Sequence, residues 1–179
     1  EYLHSLQQFG FQPGLETTRR LAAIVGNPQQ SLQFIHVAGT NGKGSVCAML
    51  ESVYRGSGLR TGLYTSPHLV RFGERIQINR QPLPETDLAR LTALLKAAID
   101  LEIGRPGITT LQPTFFEFTT VVALLWFAEQ GVDLVIWETG LGGRWDATNI
   151  ITPLASVITN VSLDHQRILG STTALIAIE

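Results

Sequence analysis

Short apolar runs alternate with helically spaced apolar positions along most of the chain. Phe34-Ile35-His36-Val37 and Val132-Asp133-Leu134-Val135-Ile136-Trp137 are near-continuous runs that read as strands, the second ending in Glu138. Leu59 to Thr65 and Leu154 to Thr159 read the same way, and Glu74 to Ile78 reads as a brief strand closed by an Asn79-Arg80 turn. Helical spacing takes over between them. Leu15 to Val25 carries Leu21, Ile24 and Val25 on one side, with Gly26-Asn27-Pro28 as the stop. Val46, Met49, Leu50 and Val53 recur at i, i+3, i+4 and i+7, which places that face on a core until Gly56 and Gly58 end the helix. Pro84 opens a further helix with Glu85 and Asp87 in its first turn; Leu88, Leu91, Leu95 and Ala98 line its stripe to about Ile103. Thr114 to Gln130 is apolar nearly all round, so it is expected to lie against the sheet and be covered on most sides. A last helical pattern begins at Ser171 and is still running at Glu179.

Residues 1 to 14 form a short amphipathic lead-in with Tyr2, Leu3, Leu6 and Phe9-Gly10-Phe11, and residues 104–113 are a loop rich in Gly, Pro and Thr. The alternation predicts an α/β fold with a mostly parallel sheet flanked by helices on both faces. At 179 residues one domain is the default. Apolar residues are 44% and charged residues 16%, a generous interior under a lightly charged surface. The formal charge of −2 gives no reason to expect nucleic acid, and the eleven arginines are dispersed beside only two lysines, Lys43 and Lys96. The longest strictly apolar run, Val121 to Ala128, is too short to span a bilayer. The single Cys47 excludes an internal disulfide, fits a reducing, cytoplasmic setting and reads as a small packing residue.

Chemistry concentrates where the first strand breaks into Gly39-Thr40-Asn41-Gly42-Lys43-Gly44-Ser45 and a helix follows at once. Strand, glycine turn, lysine and helix make a phosphate-binding loop: backbone N–H groups converge on an anion, the helix N-terminus is positive, and Lys43 reaches the outer phosphates. The strict Walker pattern is not met, because Val37 stands where it wants glycine and Gly44 where it wants Ser or Thr. A glycine-rich turn with an exposed lysine is the bland alternative. In open α/β sheets ligands bind outside the carboxyl ends of the strands, where this chain also delivers Ser66, His68, Glu138, Asn160, Asp164 and His165. Glu138 at a strand end resembles the acid that holds Mg2+ in other phosphate-loop enzymes; a solvated strand terminus is the competing view. Gly140-Leu141-Gly142-Gly143-Arg144 suggests close backbone approach to a ligand, with Arg144 able to neutralise a phosphate and Asp146 and Asn149 bracing the loop. Only one of Asp164 and His165 is expected to reach a ligand. His36, inside a strand, reads as a satisfied core residue, and His4 carries no signal. These residues point to an ATP–Mg2+ enzyme or switch. No Asn-Lys-x-Asp motif supports guanine recognition, and no Gly-x-Gly-x-x-Gly follows the first strand to support a dinucleotide.

Six blocks in order, AGTNGKGS (38–45), YTSPHL (64–69), GERI (73–76), FFEFTT (115–120), ETGLGGRWDATN (138–149) and SLDHQRILGST (162–172), resemble the folylpolyglutamate synthase/dihydrofolate synthase family of the Mur ligase superfamily. The resemblance runs over essentially the whole chain. It implies a P-loop NTPase-like fold of the Mur ligase central-domain type. The implied activity is an ATP-dependent amide ligase that phosphorylates a folate or dihydropteroate carboxylate and lets the amine of L-glutamate displace the phosphate. By the same resemblance Gly39 to Ser45 bind ATP with Lys43 on the β/γ-phosphates, Ser66 and Glu138 ligate one Mg2+, and His165 serves a second. Lys43 and His165 carry the catalytic roles. Pro67, His68 and Arg75 border the folate site, and Gly142, Gly143 and Arg144 line the nucleotide and metal cleft. A cytoplasmic enzyme, monomeric when full length, without nucleic-acid or membrane partners, is implied too.

Gly73 stands where many relatives have Asn. Family chains are more than twice as long, and they place a carbamylated lysine directly after the position of Glu179 to help hold the second metal. The resemblance therefore implies that residues 1–179 are an N-terminal ATP-binding domain without the C-terminal glutamate-ligase domain, and that alone they do not ligate. A non-catalytic nucleotide- or pterin-binding module, or another Mur-type ligase, are the alternatives. Dihydrofolate synthase and folylpolyglutamate synthase activity are not separated by these residues.

Overall fold

The computed structural model describes the chain except residues 1, 7–9, 11 and 107–109 and the side chain of His4, so the expectations for Phe9, Phe11 and part of the 104–113 loop lie outside the described residues. Six strands form one sheet in the order β4-β3-β2-β5-β1-β6. They are β1 (Phe34–Ala38), β2 (Thr61–Tyr64), β3 (Ile76–Ile78), β4 (Gln81–Pro82), β5 (Leu134–Glu138) and β6 (Ala155–Ile158). β2, β5, β1 and β6 run parallel, while β3 and β4 are added antiparallel as a hairpin at one side. β5 is central and every residue of it is buried, as expected of a continuous apolar run covered on both faces.

Strand alternation splits the core in two. Phe34, Tyr64, Val135 and Trp137 face a large cluster under the helices α2 (Glu16–Ile24), α4 (Glu85–Ile103) and α5 (Phe115–Glu129). Ile35, Val37, Leu63, Leu134 and Ile136 face α3 (Lys43–Gly56) on the other side. α5 lies between the sheet and the other two helices, which explains its all-round apolarity; residues 117–127 are buried without interruption. Its start is fixed by a capping box in which the Glu117 N–H donates to Thr114 Oγ1 at 3.2 Å and the Thr114 N–H to Glu117 Oε2 at 2.7 Å. Gly62 lets the Phe127 ring settle on β2: a Cβ there would lie 3.1 Å from it. Tyr64 stacks on Trp137 with centroids 4.4 Å apart.

Two expectations need correction. On α3, Met49 and Val53 are exposed at 60% and 68%, and the buried stripe runs instead through Cys47 and Glu51, with Val46, Leu50 and Tyr54 partly covered. Glu51 stays inside because Thr61 Oγ1 donates to it at 2.8 Å and Arg55 Nε at 2.9 Å, so the helix turns a carboxylate inward and two apolar residues outward. Residues 74 and 75 are not strand but the end of a 3-10 turn, Phe72–Arg75. The Glu74 carboxylate accepts the backbone N–H groups of Leu69, Val70 and Arg71, which curls the chain before β3. The helical pattern that begins at Ser171 is α7 (Thr173–Ile178), capped by Thr172 Oγ1 accepting from the Leu175 N–H at 3.2 Å, and a four-residue α6 (Gln166–Leu169) that the pattern did not show precedes it. A four-residue α1 (Tyr2–Ser5) stands in the lead-in. Among the described residues no helix is long and apolar enough to cross a membrane.

Candidate functional site

All four parallel strands end at one edge, so β1, β2, β5 and β6 bring their terminal polar groups together there. At the end of β1, Gly39 adopts φ +133° and Gly42 adopts φ +79°, and α3 starts at Lys43. A side chain on Gly39 would strike Thr159 Oγ1 and crowd the backbone of Asn160, so glycine is required by both space and dihedral. Lys43 Nζ donates to Gly39 O at 2.8 Å and Thr40 O at 3.3 Å, folding the ammonium over the loop it follows. The loop is clamped from the β6 side. The Thr40 N–H donates to Asn160 O at 2.9 Å and the Asn41 N–H to Asn160 Oδ1 at 3.2 Å. Thr159 Oγ1 and Asn160 Nδ2 donate to Asn41 O at 2.7 and 3.1 Å, and the Ser162 N–H to Thr40 Oγ1 at 3.0 Å.

Glu138, at the end of β5, is 3% exposed, and its Oε2 accepts the Ser66 N–H at 2.9 Å. Burial holds its pKa above the usual carboxylate value, opposed by the Ser66 N–H and the Lys43 charge and reinforced by Asp146. Its Oε1 approaches Gly44, and neither that oxygen nor Ser66 Oγ has a hydrogen-bond partner among the described residues. A desolvated carboxylate with one free oxygen, tied through the other to a serine whose hydroxyl is free, offers hard oxygen donors of the kind that suit Mg2+ when phosphate oxygens complete the shell. No group of three or more His, Cys, Asp or Glu gathers for a metal among the described residues. The pair thus fits a metal that arrives with its phosphates, not a closed protein cage.

Two clefts open at this edge. The first, of about 320 Å³, has His36, Ala38, Ser156 and Ile158 among its walls, and Gly39, Thr40, Lys43, Gly142, Gly143, Arg144, Asp164 and His165 also line it. The second, of about 420 Å³, is mainly apolar and takes Phe115, Phe116 and Trp145 together with Ser66, Pro67 and Arg75. Gly140 and Leu141 belong to both walls. Asp146 holds that turn: its Oδ2 accepts the Gly140 and Leu141 N–H groups at 2.9 and 2.8 Å. Asn149 Nδ2 donates to Arg144 O at 3.1 Å, so both residues brace the loop as expected. His36 is buried, bonded through Nε2 to Thr148 Oγ1 at 2.9 Å, and burial lowers its pKa to about 4. Cys47 is fully buried, and burial pushes its thiol pKa far up.

The sequence-derived set is therefore divided. Asn41, Gly42, Gly44 and Ser45 shape the loop but line neither cleft, and Glu138 and His68 line neither wall. His165 is exposed in a left-handed conformation at the start of α6, with its N–H on Asp164 Oδ1 at 2.7 Å. Arg144 Nη2 donates to Ile178 O at 2.8 Å, tying the glycine loop to α7. His68 accepts at Nδ1 from Arg75 Nε at 2.7 Å and so orients the guanidinium, which lies 5.4 Å from the Phe115 ring centroid. Sequence reasoning missed the aromatic lining of the second cleft and Thr148. The doubled phenylalanine at the start of α5 and the tryptophan in a glycine loop were the available signals.

No family model matches the chain. The "Dihydrofolate synthase/folylpolyglutamate synthase" of Bacillus subtilis is 42% identical over 178 residues, covering 98% of this chain and 40% of that protein. The "Folylpolyglutamate synthase" of Lacticaseibacillus casei is 42% identical over 176 residues, covering 98% and 41%. Among solved structures, an FPGS–AMPPCP complex superposes with a TM-score of 0.91 at 42% identity over 98% of this chain and 42% of its own. E. coli FolC in complex with DHPP and ADP gives 0.88 at 38% identity, covering 98% and 40%. The chain spans about two fifths of the length of the curated relatives it matches.

Proposed function

The chain belongs to the dihydrofolate synthase/folylpolyglutamate synthase family, and on that footing we propose that it is the ATP-binding domain of an ATP-dependent carboxylate–amine ligase. The observation that carries the reading is the shared Gly140–Leu141 wall, which sets a phosphate-loop cleft beside an aromatic one. Relatives have been solved with AMPPCP, with AMPPCP and folate, and with DHPP and ADP. ATP takes the first cleft, and a pterin-bearing carboxylate, folate or dihydropteroate, takes the second. Because the match covers about two fifths of the relatives, ligation is proposed for the whole protein of which these residues are the nucleotide-binding part.

In this reading Lys43 leaves the Gly39 and Thr40 carbonyls for the β/γ-phosphates, while the loop N–H groups and the start of α3 hold their oxygens. Glu138 and Ser66 would hold Mg2+, with His165 at a second ion; bound there, the metal screens the triphosphate from the incoming carboxylate. Phe115, Phe116 and Trp145 hold the flat ring of the acceptor, and Arg75, oriented by His68, faces its polar part. The carboxylate oxygen attacks the γ-phosphorus, ADP leaves, and an acyl phosphate forms. The glutamate amine then attacks the acyl carbon, phosphate leaves, and the amide nitrogen gives up its proton. A cytoplasmic setting suits these substrates.

The test is ATP-dependent incorporation of labelled L-glutamate into dihydropteroate and, separately, tetrahydrofolate by the full-length protein, with calorimetric binding of Mg–AMPPCP to the 179-residue chain beside it. Equal yields of ADP, phosphate and glutamylated pterin are expected. ATP hydrolysis that ignores the pterin would overturn the ligase reading, and binding without turnover would identify a non-catalytic module instead.

A further inference from the structure

Three buried side chains form a hydrogen-bonded line behind the two clefts. His36 Nε2 meets Thr148 Oγ1 at 2.9 Å, and Thr148 Oγ1 donates in a short hydrogen bond to Asp146 Oδ1. His36 borders the first cleft, Asp146 the second, and Thr148 neither. The direction of the bonds follows from proton count. Thr148 has one hydroxyl proton and gives it to the carboxylate, so it must accept from His36, which is then the neutral tautomer with its hydrogen on Nε2. His36 Nδ1 is left as an acceptor with no hydrogen-bond partner among the described residues. Asp146 is saturated: Oδ1 also accepts the Thr148 N–H at 3.0 Å, and Oδ2 accepts Gly140 and Leu141 from the shared wall. Thr148 is anchored once more, through its carbonyl accepting Trp137 Nε1 at 3.0 Å.

We infer that His36, Thr148 and Asp146 act as one positioning unit that transmits occupancy of the nucleotide cleft to the Gly140–Leu141 wall of the neighbouring cleft. The inference rests on the two-cleft reading above. Every described bond in the line is internal and enclosed. A shift of the imidazole must therefore either break a bond whose partner has no water to turn to, or carry the carboxylate and the two N–H groups it holds with it. Apolar packing of the shared wall alone would not depend on a hydroxyl at residue 148. Burial keeps His36 neutral over the usual pH range, so the line carries no imidazolium charge.

The experiment is a pair of calorimetric titrations of Mg–AMPPCP into the chain, one with and one without saturating dihydropteroate, on wild type, Thr148→Val, Thr148→Ser and His36→Leu. Wild type should bind the nucleotide at least about five-fold more tightly with pterin present. Thr148→Val, which keeps the shape and removes the hydroxyl, should reduce that ratio to near one while leaving pterin-free nucleotide affinity within about three-fold. Thr148→Ser should restore the ratio. His36→Leu, read only for the ratio, breaks the line from its other end and decides the matter if the valine variant does not fold. Binding of both ligands with no coupling in wild type, or coupling that survives Thr148→Val and His36→Leu, overturns the relay alone. Wild type that binds neither ligand overturns the two-cleft reading together with it.

Discussion

Glu138 Oε2 and the Ser66 N–H are 2.9 Å apart, a hydrogen bond that joins the carboxyl-terminal ends of β5 and β2 and leaves the other carboxylate oxygen free. The bond aligns Glu138 without using it up, which is what a metal-binding carboxylate requires.

Glu138→Gln should raise stability without ligand and weaken metal-dependent nucleotide binding. Burial lifts the folded pKa of Glu138, so its stabilising contribution is full below the ordinary carboxylate value and is lost as pH rises through the raised one. Glutamine keeps an acceptor for Ser66 and has no such loss. Thermal melts from pH 4 to 8 should converge at the acid end and separate at pH 7.5, the variant being higher by about 2–4 °C. A lower melting point at pH 7.5 contradicts the assignment.

Lys43→Met should weaken Mg–AMPPCP binding about 10- to 100-fold, the loss of one charge-assisted contact to phosphate. Its cost to the free fold should be small, because the ammonium meets only two loop carbonyls. Equal affinity in both proteins removes Lys43 from the site.

Acid should cost stability through His36. Its folded pKa is held at about 4 by burial, so the stability it confers is present above the unfolded value near 6.5 and lost as pH falls toward 4. The difference amounts to about 3 kcal/mol. Urea unfolding at pH 7 and pH 4 should show a smaller drop for His36→Asn than for wild type; identical drops would clear the imidazole of any part in it.

Removing a partner should hurt more than removing the charge at Glu51. This carboxylate is fully buried, with Arg55 Nε at 2.9 Å, Thr61 Oγ1 at 2.8 Å and Arg80 Nε at 3.8 Å. Arg55→Ala leaves it poorly compensated and should cost about 3 kcal/mol, whereas Glu51→Gln should cost less. Denaturant midpoints of the two variants rank them directly, and the reverse order would mean the cluster is held by its hydrogen bonds alone.

The contrast between Glu138 and Glu51 also marks how far the sequence could be read. A strand-final carboxylate follows from local pattern: β5 is apolar until residue 138, and parallel strands deliver their ends to one edge. The burial of Glu51 depends on Thr61 and Arg80, one on the next strand and one on a later turn, and no periodicity within α3 encodes it. The apolar count accordingly chose Met49 and Val53 for the core, although apolar residues face water freely when a polar neighbour has partners inside. The glycine loop was legible because the chemistry of a phosphate turn is local. Its clamp by Asn160 was not, since that bond joins residues 119 positions apart. Phe115 and Phe116 read as core at the start of an apolar helix, and only the tertiary arrangement turns them toward a cleft.

The two outermost strands of the sheet differ in how they would treat another polypeptide. β4 is two residues long and contains Pro82, whose nitrogen has no hydrogen to offer, so little ladder is left there for a foreign strand to extend. β6 is a four-residue strand, paired on one side by β1, with its last residue Ile158 and the preceding Leu154 each 67% exposed. Handled as an isolated 179-residue chain at high concentration, the protein is therefore protected from β-aggregation at one border and vulnerable at the other. A single lysine in place of Leu154, which lines neither cleft, is the remedy this asymmetry recommends for solubility.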